Sequence, residues 1–229
     1  MNITDDDVAG RSNRHIVSWH INNKILLHAE VVIPLMRLQR DAVTVGFDLH
    51  VASGYRSFDR QLLLWNDKLH GRREVLNDKG EAVDMQTLSP LAKIQAVMRW
   101  SALPGTSRHH WGTDFDIYDK AAISSDYRLA LTPDEYIQDG PFAPMMHWLA
   151  HYLAAQPGLG FYRPYTVDRQ GVAPEPWHIS YQPVARYYHQ KLCPQMVRKH
   201  IEHSKCVEKA TIIEHLPFLF NRYVQSREA

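Results

Sequence analysis

The spacing of apolar residues along the chain predicts both helices and strands. A helical period recurs over 24–41, "FDRQLLLWNDKLHG" (58–71), "LSPLAKIQAVMRWSAL" (88–103) and "APMMHWLAHYLAAQPG" (143–158). Ser89 followed by Pro90 is a typical helix start, and Gly71 is a typical helix end. Pro34 argues against an uninterrupted first helix, because proline removes a hydrogen bond inside a helix.

Three shorter stretches predict strands: "DLHVASGYRS" (48–57), "TDFDIYD" (113–119) and "EPWHISYQ" (175–182). In the second stretch Phe115 and Ile117 alternate with polar residues and can face the core. Asp114, Asp116 and Tyr118 then share the other face. This pattern predicts a half-buried strand with a polar face.

The organisation of the chain favours a single domain over 1–229, because it has no internal repeat, low-complexity tract or Gly/Ser linker. The motifs with chemistry lie in a core of about 45–185. The segment 186–229 is predicted to be a helical extension, interrupted at Pro194 and Pro217, that forms a cap on the core rather than a partner surface. Helices combined with strands that carry polar clusters indicate an α+β protein.

Composition and charge exclude several classes of function. The chain has 229 residues, 45% apolar and 22% charged, as is ordinary for globular proteins. Its 26 Lys and Arg residues nearly balance 25 Asp and Glu residues, so neither nucleic-acid binding nor attraction to an anionic membrane is expected. No apolar run reaches the roughly 18 residues of a membrane span. The acidic start "MNITDDDVAG" is unlike a secretory signal, so a cytoplasmic location is expected.

The two cysteines, Cys193 and Cys206, are expected to be free thiols, as in a reducing compartment. His200 and His203 lie between them, which leaves a second metal site as an alternative. Pro194 and the lack of a CxxC spacing favour the free thiols.

Another histidine pair, His147 and His151, has the i, i+4 spacing of the HExxH zinc peptidases. The stretch "HWLAH" lacks the glutamate that such a site needs. The rest of this predicted helix is apolar, so we expect no metal there.

The polar cluster "SRHHWGTDFDIYD" (107–119) carries the candidate chemistry. A catalytic zinc ion usually takes three protein ligands and leaves its fourth position to water, whose proton a carboxylate must accept. His109 and Asp116 lie on either side of Gly112, where a turn can bring both to one ion. Downstream, Glu175 and His178 in "EPWHIS" can supply the carboxylate base and a third ligand.

The combined motifs resemble the zinc D-alanyl-D-alanine peptidases of the VanY and VanX type, relatives of the hedgehog and lysostaphin folds. The matching motifs are "SxHxxGxxxD" from Ser107 to Asp116, "ExxH" from Glu175 to His178, and "SGYRSxxxQ" from Ser53 to Gln61. The resemblance covers about 53–181. It implies a hedgehog/D,D-peptidase-like fold, in which a small antiparallel sheet flanked by helices carries the zinc site.

The resemblance also implies roles for individual residues. One zinc ion per chain would be held by His109, Asp116 and His178, with Glu175 as the general base. Arg56 would stabilise the oxyanion or hold the substrate, as suits a guanidinium, which is permanently charged. The two remaining site residues, Gln61 and Ser107, would bind the substrate's terminal carboxylate.

Asp114 departs from the family pattern, which usually has a small residue two positions before the aspartate ligand. Residues two apart on a strand share a face. Asp114 is therefore either a partner that orients a histidine or a charge that repels Asp116. Asp116 keeps the family spacing and is the preferred ligand.

The implied activity is a zinc carboxypeptidase that removes terminal D-alanine from peptidoglycan-derived peptides. The family includes D,D- and L,D-carboxypeptidases and D-Ala-D-Ala dipeptidases, and the motifs do not separate them. A cytoplasmic enzyme would meet recycled muropeptides, which favours an L,D cut of tetrapeptides. The alternative from another class is a non-catalytic binding module with the same fold, but the retained Glu175 favours an enzyme.

Overall fold

The computed structural model describes residues 2–19 and 25–225. Its α-helices are α1 (Asp5–Val8), α2 (Val32–Val43), α3 (Phe58–Leu69), α4 (Pro90–Met98), α5 (Ala143–Ala155), α6 (Gln182–Lys191), α7 (Pro194–Glu202), α8 (Lys209–Glu214) and α9 (Leu216–Tyr223). Its strands are β1 (Ile16–Ser18), β2 (Leu26–His28), β3 (Leu49–Ser53), β4 (Asp114–Asp119), β5 (Phe161–Tyr162) and β6 (His178–Tyr181).

The strands form two antiparallel sheets. The larger has four strands in the order β3-β4-β6-β5, and the smaller pairs β1 with β2. Helices pack around the four-stranded sheet, so the predicted α+β class with a small antiparallel sheet is confirmed.

Strand β4 divides a hydrophobic core from a polar site. Phe115 and Ile117 are fully buried in one core, together with Leu35 of α2 and Leu149 of α5. The opposite face carries the aspartates, as predicted. The prediction that this polar face leaves the strand half-buried is wrong, however, because Asp114 and Asp116 are only 0% and 5% exposed.

A second core joins the C-terminal helices to α3 and α4. Trp65 of α3, Val97 of α4, Ile201 of α7 and Leu219 of α9 are all fully buried in it. Residues 182–225 therefore form helices that pack on this core. Pro194 and Pro217 lie in the first turns of α7 and α9, where a missing N–H costs no helical hydrogen bond. A single domain over 1–229 stays a prediction.

The helix predicted over 24–41 is wrong at its beginning. Leu26–His28 forms β2, which pairs antiparallel with β1, and the 3-10 turn Ala29–Val31 leads into α2. Leu27 pairs with Val17 of β1 and is completely buried. Pro34 falls in the first turn of α2 and causes no break. Residue 24 lies outside the described residues.

The other predicted helices are present as α3, α4 and α5, and α4 ends at Met98, before the end of the predicted stretch. Ser89 accepts a hydrogen bond from the backbone N–H of Ala92 and begins α4, and Ser57 does the same for α3 through Arg60. The longest helix, α5, has 13 residues. Within residues 2–19 and 25–225 no helix has the length and apolar character needed to cross a membrane.

Candidate active site

Asp116 lies on β4, which pairs with β3 on one side and with β6 on the other. The register places it opposite Ser53 of β3 and opposite His178 of β6. Directly opposed residues of antiparallel strands have Cβ atoms about 4.5–5.5 Å apart. The strand pairing itself therefore brings the Asp116 carboxylate to the His178 imidazole, although the two residues are 62 positions apart in the sequence.

His109 reaches the same point from the 3-10 helix Arg108–Trp111, which precedes β4. Gly112 ends this helix at a φ of +67°, and a Cβ there would lie 2.7 Å from the backbone nitrogen of His28. Glycine is required both for the conformation and for the close approach. The turn at Gly112 thus brings His109 over β4, as the sequence indicated.

The cluster of His109, Asp116 and His178 fits a zinc ion. One potential ligand atom from each residue lies within 4.8 Å of the other two. Asp116 oxygens lie 3.4 Å from His109 Nε2 and 3.2 Å from His178 Nδ1, close to the roughly 3.3 Å expected between tetrahedral ligands at zinc distances. His178 Nδ1 is buried and has no aligned hydrogen bond within the described part of the chain, as expected of an atom that binds a metal.

The outer ring nitrogens of both histidines have acceptors of their own. His109 Nδ1 lies 2.9 Å from the Gly54 carbonyl oxygen, and His178 Nε2 lies 3.0 Å from Asp114 Oδ1. Each ring therefore presents its other nitrogen to the centre of the cluster. Burial opposes a charge on His178, but Asp114 and the nearby Asp116 raise its pKa to about 9. Zinc needs a neutral ring nitrogen, so its binding would release a proton.

Asp114 acts as the partner of His178, which is the first of the two alternatives left open by the sequence. Its Oδ1 accepts from His178 Nε2 and from Arg108 Nε at 2.7 Å, and its Oδ2 accepts from the Thr113 hydroxyl at 2.7 Å. Burial raises the pKa of Asp114, but Arg108 and His178 outweigh burial and hold that pKa well below the usual range. Arg108 thus balances the negative charge of Asp114, which the other alternative supposed would repel Asp116.

Glu175 reaches the cluster from the segment before β6. Its Oε2 lies 3.5 Å from His178 Nδ1, and its side chain is 14% exposed. The Glu175 N–H donates to the Tyr165 carbonyl at 2.9 Å, and the His178 N–H donates to the Glu175 carbonyl at 3.1 Å. This turn through Pro176 places a carboxylate beside the cluster, where a proton acceptor for an attacking water would act.

The cluster opens into a cavity of about 790 Å³, a size typical of ligand sites. Arg56, Ser107 and Glu175 are in its wall together with the candidate ligands. The Arg56 backbone N–H donates to the His109 carbonyl at 3.0 Å, which joins the Arg56 main chain to the loop that carries His109. Burial lowers the pKa of Arg56, while the charges of Asp116 and Glu175 favour its charged form.

Gln61 has a different place from the one predicted. It is fully buried and outside the cavity wall, with its Oε1 accepting from Arg56 at 2.9 Å and its Nε2 donating to the Ala102 carbonyl at 2.6 Å. A carboxamide committed in this way does not contact a substrate carboxylate. Gln61 instead holds Arg56, whereas Ser107 lies in the wall where a substrate contact was predicted.

Neither alternative metal site has support in the structure. Within residues 2–19 and 25–225, one group of at least three potential ligands converges on a single point, and it consists of His109, Asp116 and His178. The His147 and His151 rings contact each other at a centroid distance of 4.5 Å and are tilted by 54°, without a third ligand nearby. The cysteines are free thiols, as predicted.

The sequence model of the VanY family, described as D-alanyl-D-alanine carboxypeptidase, matches residues 24–184, which is more than half of the chain. The chain belongs to the VanY family. This assignment confirms the resemblance drawn from the motifs, and the family is one of zinc peptidases.

Three proteins similar to this VanY-family chain illustrate the relationship. An uncharacterized protein of Haemophilus influenzae is 40% identical over 106 residues, or 45% of this chain and 72% of that protein. A D-alanyl-D-alanine carboxypeptidase of Enterococcus faecalis is 29% identical over 150 residues, or 62% of this chain and 44% of that protein. A mutant VanY D,D-pentapeptidase from the VanB-type resistance cassette, solved with Zn(II), is 25% identical, with a TM-score of 0.51 over 81% of this chain and 92% of that one.

Two residues in the wall of this VanY-family site were missed by the sequence analysis. Tyr165 packs edge-on against the His178 ring at a centroid distance of 4.8 Å, but it belongs to no motif. Lys68 lines the cavity from α3. Its signal was in the sequence, because Gln61, Leu64 and Lys68 recur at helical spacing and share one face.

Proposed function

We propose that this VanY-family chain is a zinc-dependent carboxypeptidase that removes terminal D-alanine from peptidoglycan-derived peptides, with a preference for the L,D bond of muropeptide tetrapeptides. The observation that carries the proposal is the Glu175 carboxylate, 3.5 Å from a buried ring nitrogen of the His109, Asp116 and His178 cluster and open to the cavity. The activity named for the family supports the carboxypeptidase part of this proposal.

The residues of the site have separate roles in the proposed reaction. When bound, a zinc ion held by His109, Asp116 and His178 supplies Lewis-acid chemistry, which acidifies water and polarises a carbonyl. Glu175 accepts the proton of the attacking water and passes it to the leaving amine. The Arg56 guanidinium stabilises the negative charge that develops on the scissile carbonyl oxygen.

The terminal carboxylate of the substrate is assigned to the hydroxyl of Ser107. This residue lies in the cavity wall immediately before the 3-10 helix that carries His109. Gln61 acts indirectly, because it holds the Arg56 guanidinium in place.

The choice between an L,D and a D,D cut rests on the expected cytoplasmic location. An enzyme there would meet recycled muropeptides, in which trimming of tetrapeptides to tripeptides is an L,D cut. The alternative is a D,D-carboxypeptidase or D-Ala-D-Ala dipeptidase, which the names of the family and of the Enterococcus faecalis protein favour.

The first test is metal analysis of the purified protein, paired with D-alanine release from a tetrapeptide and a pentapeptide before and after chelation. The proposal expects about one zinc per chain and chelator-sensitive release from the tetrapeptide. Release from the pentapeptide alone would replace the L,D activity with a D,D activity. A protein that takes up no zinc would contradict the proposed metal site.

The second test separates the enzyme from a non-catalytic zinc-binding module. Glu175→Gln keeps the size of the side chain but removes its basicity, and a general base typically contributes about 10²–10⁴-fold to the rate. We expect that loss of turnover with zinc content unchanged, and no loss in Glu202→Gln, where an exposed glutamate of α7 is changed in the same way. Unchanged turnover would remove Glu175 from its role, and zinc binding without turnover on either peptide would favour the binding module.

A further inference from the structure

Lys68 places a positive charge in the cavity wall. It lies near the end of α3 and lines the cavity together with Leu64. Within residues 2–19 and 25–225, its ammonium group forms neither a salt bridge nor a hydrogen bond. An ammonium group that is partly removed from water without a partner is unfavourable. A group from outside the chain can complete this contact.

Other cations add to the positive charge around Lys68. Arg56 shares the wall and donates its side-chain hydrogen bonds to neutral oxygens, those of Gln61 and Ser53. Arg73 lies at the exposed rim of the same cavity. Burial, with the charges of Arg56 and Arg73, lowers the pKa of Lys68 to about 8, although Glu175 opposes the shift.

Carboxylates of the wall neutralise these cations only in part, because Glu175 acts on both Lys68 and Arg56 and one carboxylate does not balance two cations. Glu74, Asp78 and Asp134 are exposed, so water and salt screen their charges. Asp78 is already paired with Arg99 at 2.6 Å. Asp116 belongs to the candidate zinc cluster.

We propose that Lys68 binds a second carboxylate of the substrate, and that the preferred substrates are peptides with an acidic side chain in addition to their C-terminal carboxylate. This inference rests on the proposed carboxypeptidase function. That function uses one carboxylate, the C-terminus, near Ser107 and Arg56. A second carboxylate in the same cavity pairs with the Lys68 ammonium, with Arg73 contributing from the rim.

Two synthetic peptides that differ by one charge test the inference. Both end in D-alanine, preceded by L-glutamate in one peptide and by L-glutamine in the other. Their affinities are measured by calorimetry on the zinc-loaded Glu175→Gln variant, so that neither is consumed. We expect the glutamate peptide to bind about 10–100-fold more tightly, the range of a charged hydrogen bond. Equal affinities would overturn the inference.

Substitutions at Lys68 assign the preference to this residue. Lys68→Met is expected to reduce the preference for the glutamate peptide at least about fivefold, and Lys68→Arg is expected to keep most of it, because the arginine retains the charge. Lys79→Met is the matched control, since Lys79 is an exposed lysine of the same cavity wall. An equal loss of preference in Lys79→Met would overturn the inference, because the preference would then come from the overall positive charge of the cavity and not from a contact with Lys68.

Turnover by the otherwise unchanged protein separates this inference from the proposed function. The ratio of kcat/KM values for the two peptides is expected to follow the ratio of their affinities. If Lys68→Met lowers turnover of both peptides equally and leaves their affinity ratio unchanged, Lys68 serves Glu175 and the inference is overturned. A Lys68-dependent affinity ratio without hydrolysis of any D-alanyl peptide supports the carboxylate site and contradicts the proposed enzyme.

Discussion

Replacing Asp114 is expected to lower both the stability of the protein and its affinity for zinc. Asp114→Ala removes the acceptor for His178 Nε2 and leaves the guanidinium of Arg108, only 2% exposed, without its carboxylate. Removing one partner of a buried ion pair costs about 3–5 kcal/mol in the free energy of unfolding. Losing the group that orients a metal-binding histidine typically costs about 10–100-fold in metal affinity.

Asp114→Asn is expected to separate these two effects. The amide oxygen can replace Oδ1, which accepts from both His178 and Arg108, and the Thr113 hydroxyl can rotate to accept from the new NH₂ group. Zinc affinity is therefore expected to return to within about tenfold of the unchanged protein, because the ring is oriented again. Stability is expected to stay low, because the charge of Arg108 remains uncompensated.

Zinc affinity is measured by competition with a chromophoric chelator, and stability by denaturant unfolding with the metal removed. The control is Asp119→Ala, a buried aspartate of the same strand whose carboxylate accepts from the backbone N–H groups of Asp48 and Ala121. This control is expected to lose stability but not zinc affinity. Unchanged zinc affinity in Asp114→Ala would refute the orienting role, and equal affinity losses in the alanine and asparagine variants would show that charge, not orientation, matters.

Three further predictions concern the surroundings of the site. Gln61→Leu removes the hydrogen bond to the guanidinium in the cavity wall and is expected to lower kcat/KM by about tenfold with zinc content unchanged, as metal analysis and a D-alanine release assay would show. Gly112→Ala is expected to cost at least about 1–2 kcal/mol in denaturant unfolding because of its positive φ, whereas Gly158→Ala, which meets nothing within 4 Å, is expected to be tolerated. Burial raises the pKa of the Cys206 thiol to about 12, so mass spectrometry after alkylation at pH 8 is expected to find Cys193 modified first.

Much of the site could be predicted because its parts are local. The alternation in β4 put Asp116 opposite the core, and Gly112 marked the turn that brings His109 over the strand. The pairing that joins Asp116 to His178 could not be derived from spacing, because it depends on the register between β4 and a strand far along the chain. That step came from the family motif.

The incorrect predictions have physical reasons of the same kind. The apolar run before α2 fits a helix and a strand equally well, and pairing of Leu27 with Val17 decides for the strand. Gln61 carries a polar group that either a substrate or the protein can bind. Its actual partners are Arg56, five residues earlier in the chain, and Ala102, which comes from a distant segment that its own helix does not specify.

The polar face of β4 explains why Asp114 and Asp116 can lie two residues apart without exposure to water. Two carboxylates on one buried face repel each other unless each has its own positive partner. Arg108 supplies one of them, and it is fixed by further hydrogen bonds to the hydroxyls of Tyr162 and Ser180. A cation between Asp116 and the two histidines would supply the other. Asp114 can therefore be anionic beside the candidate zinc site because Arg108 compensates its charge, and it orients the His178 ring through Nε2.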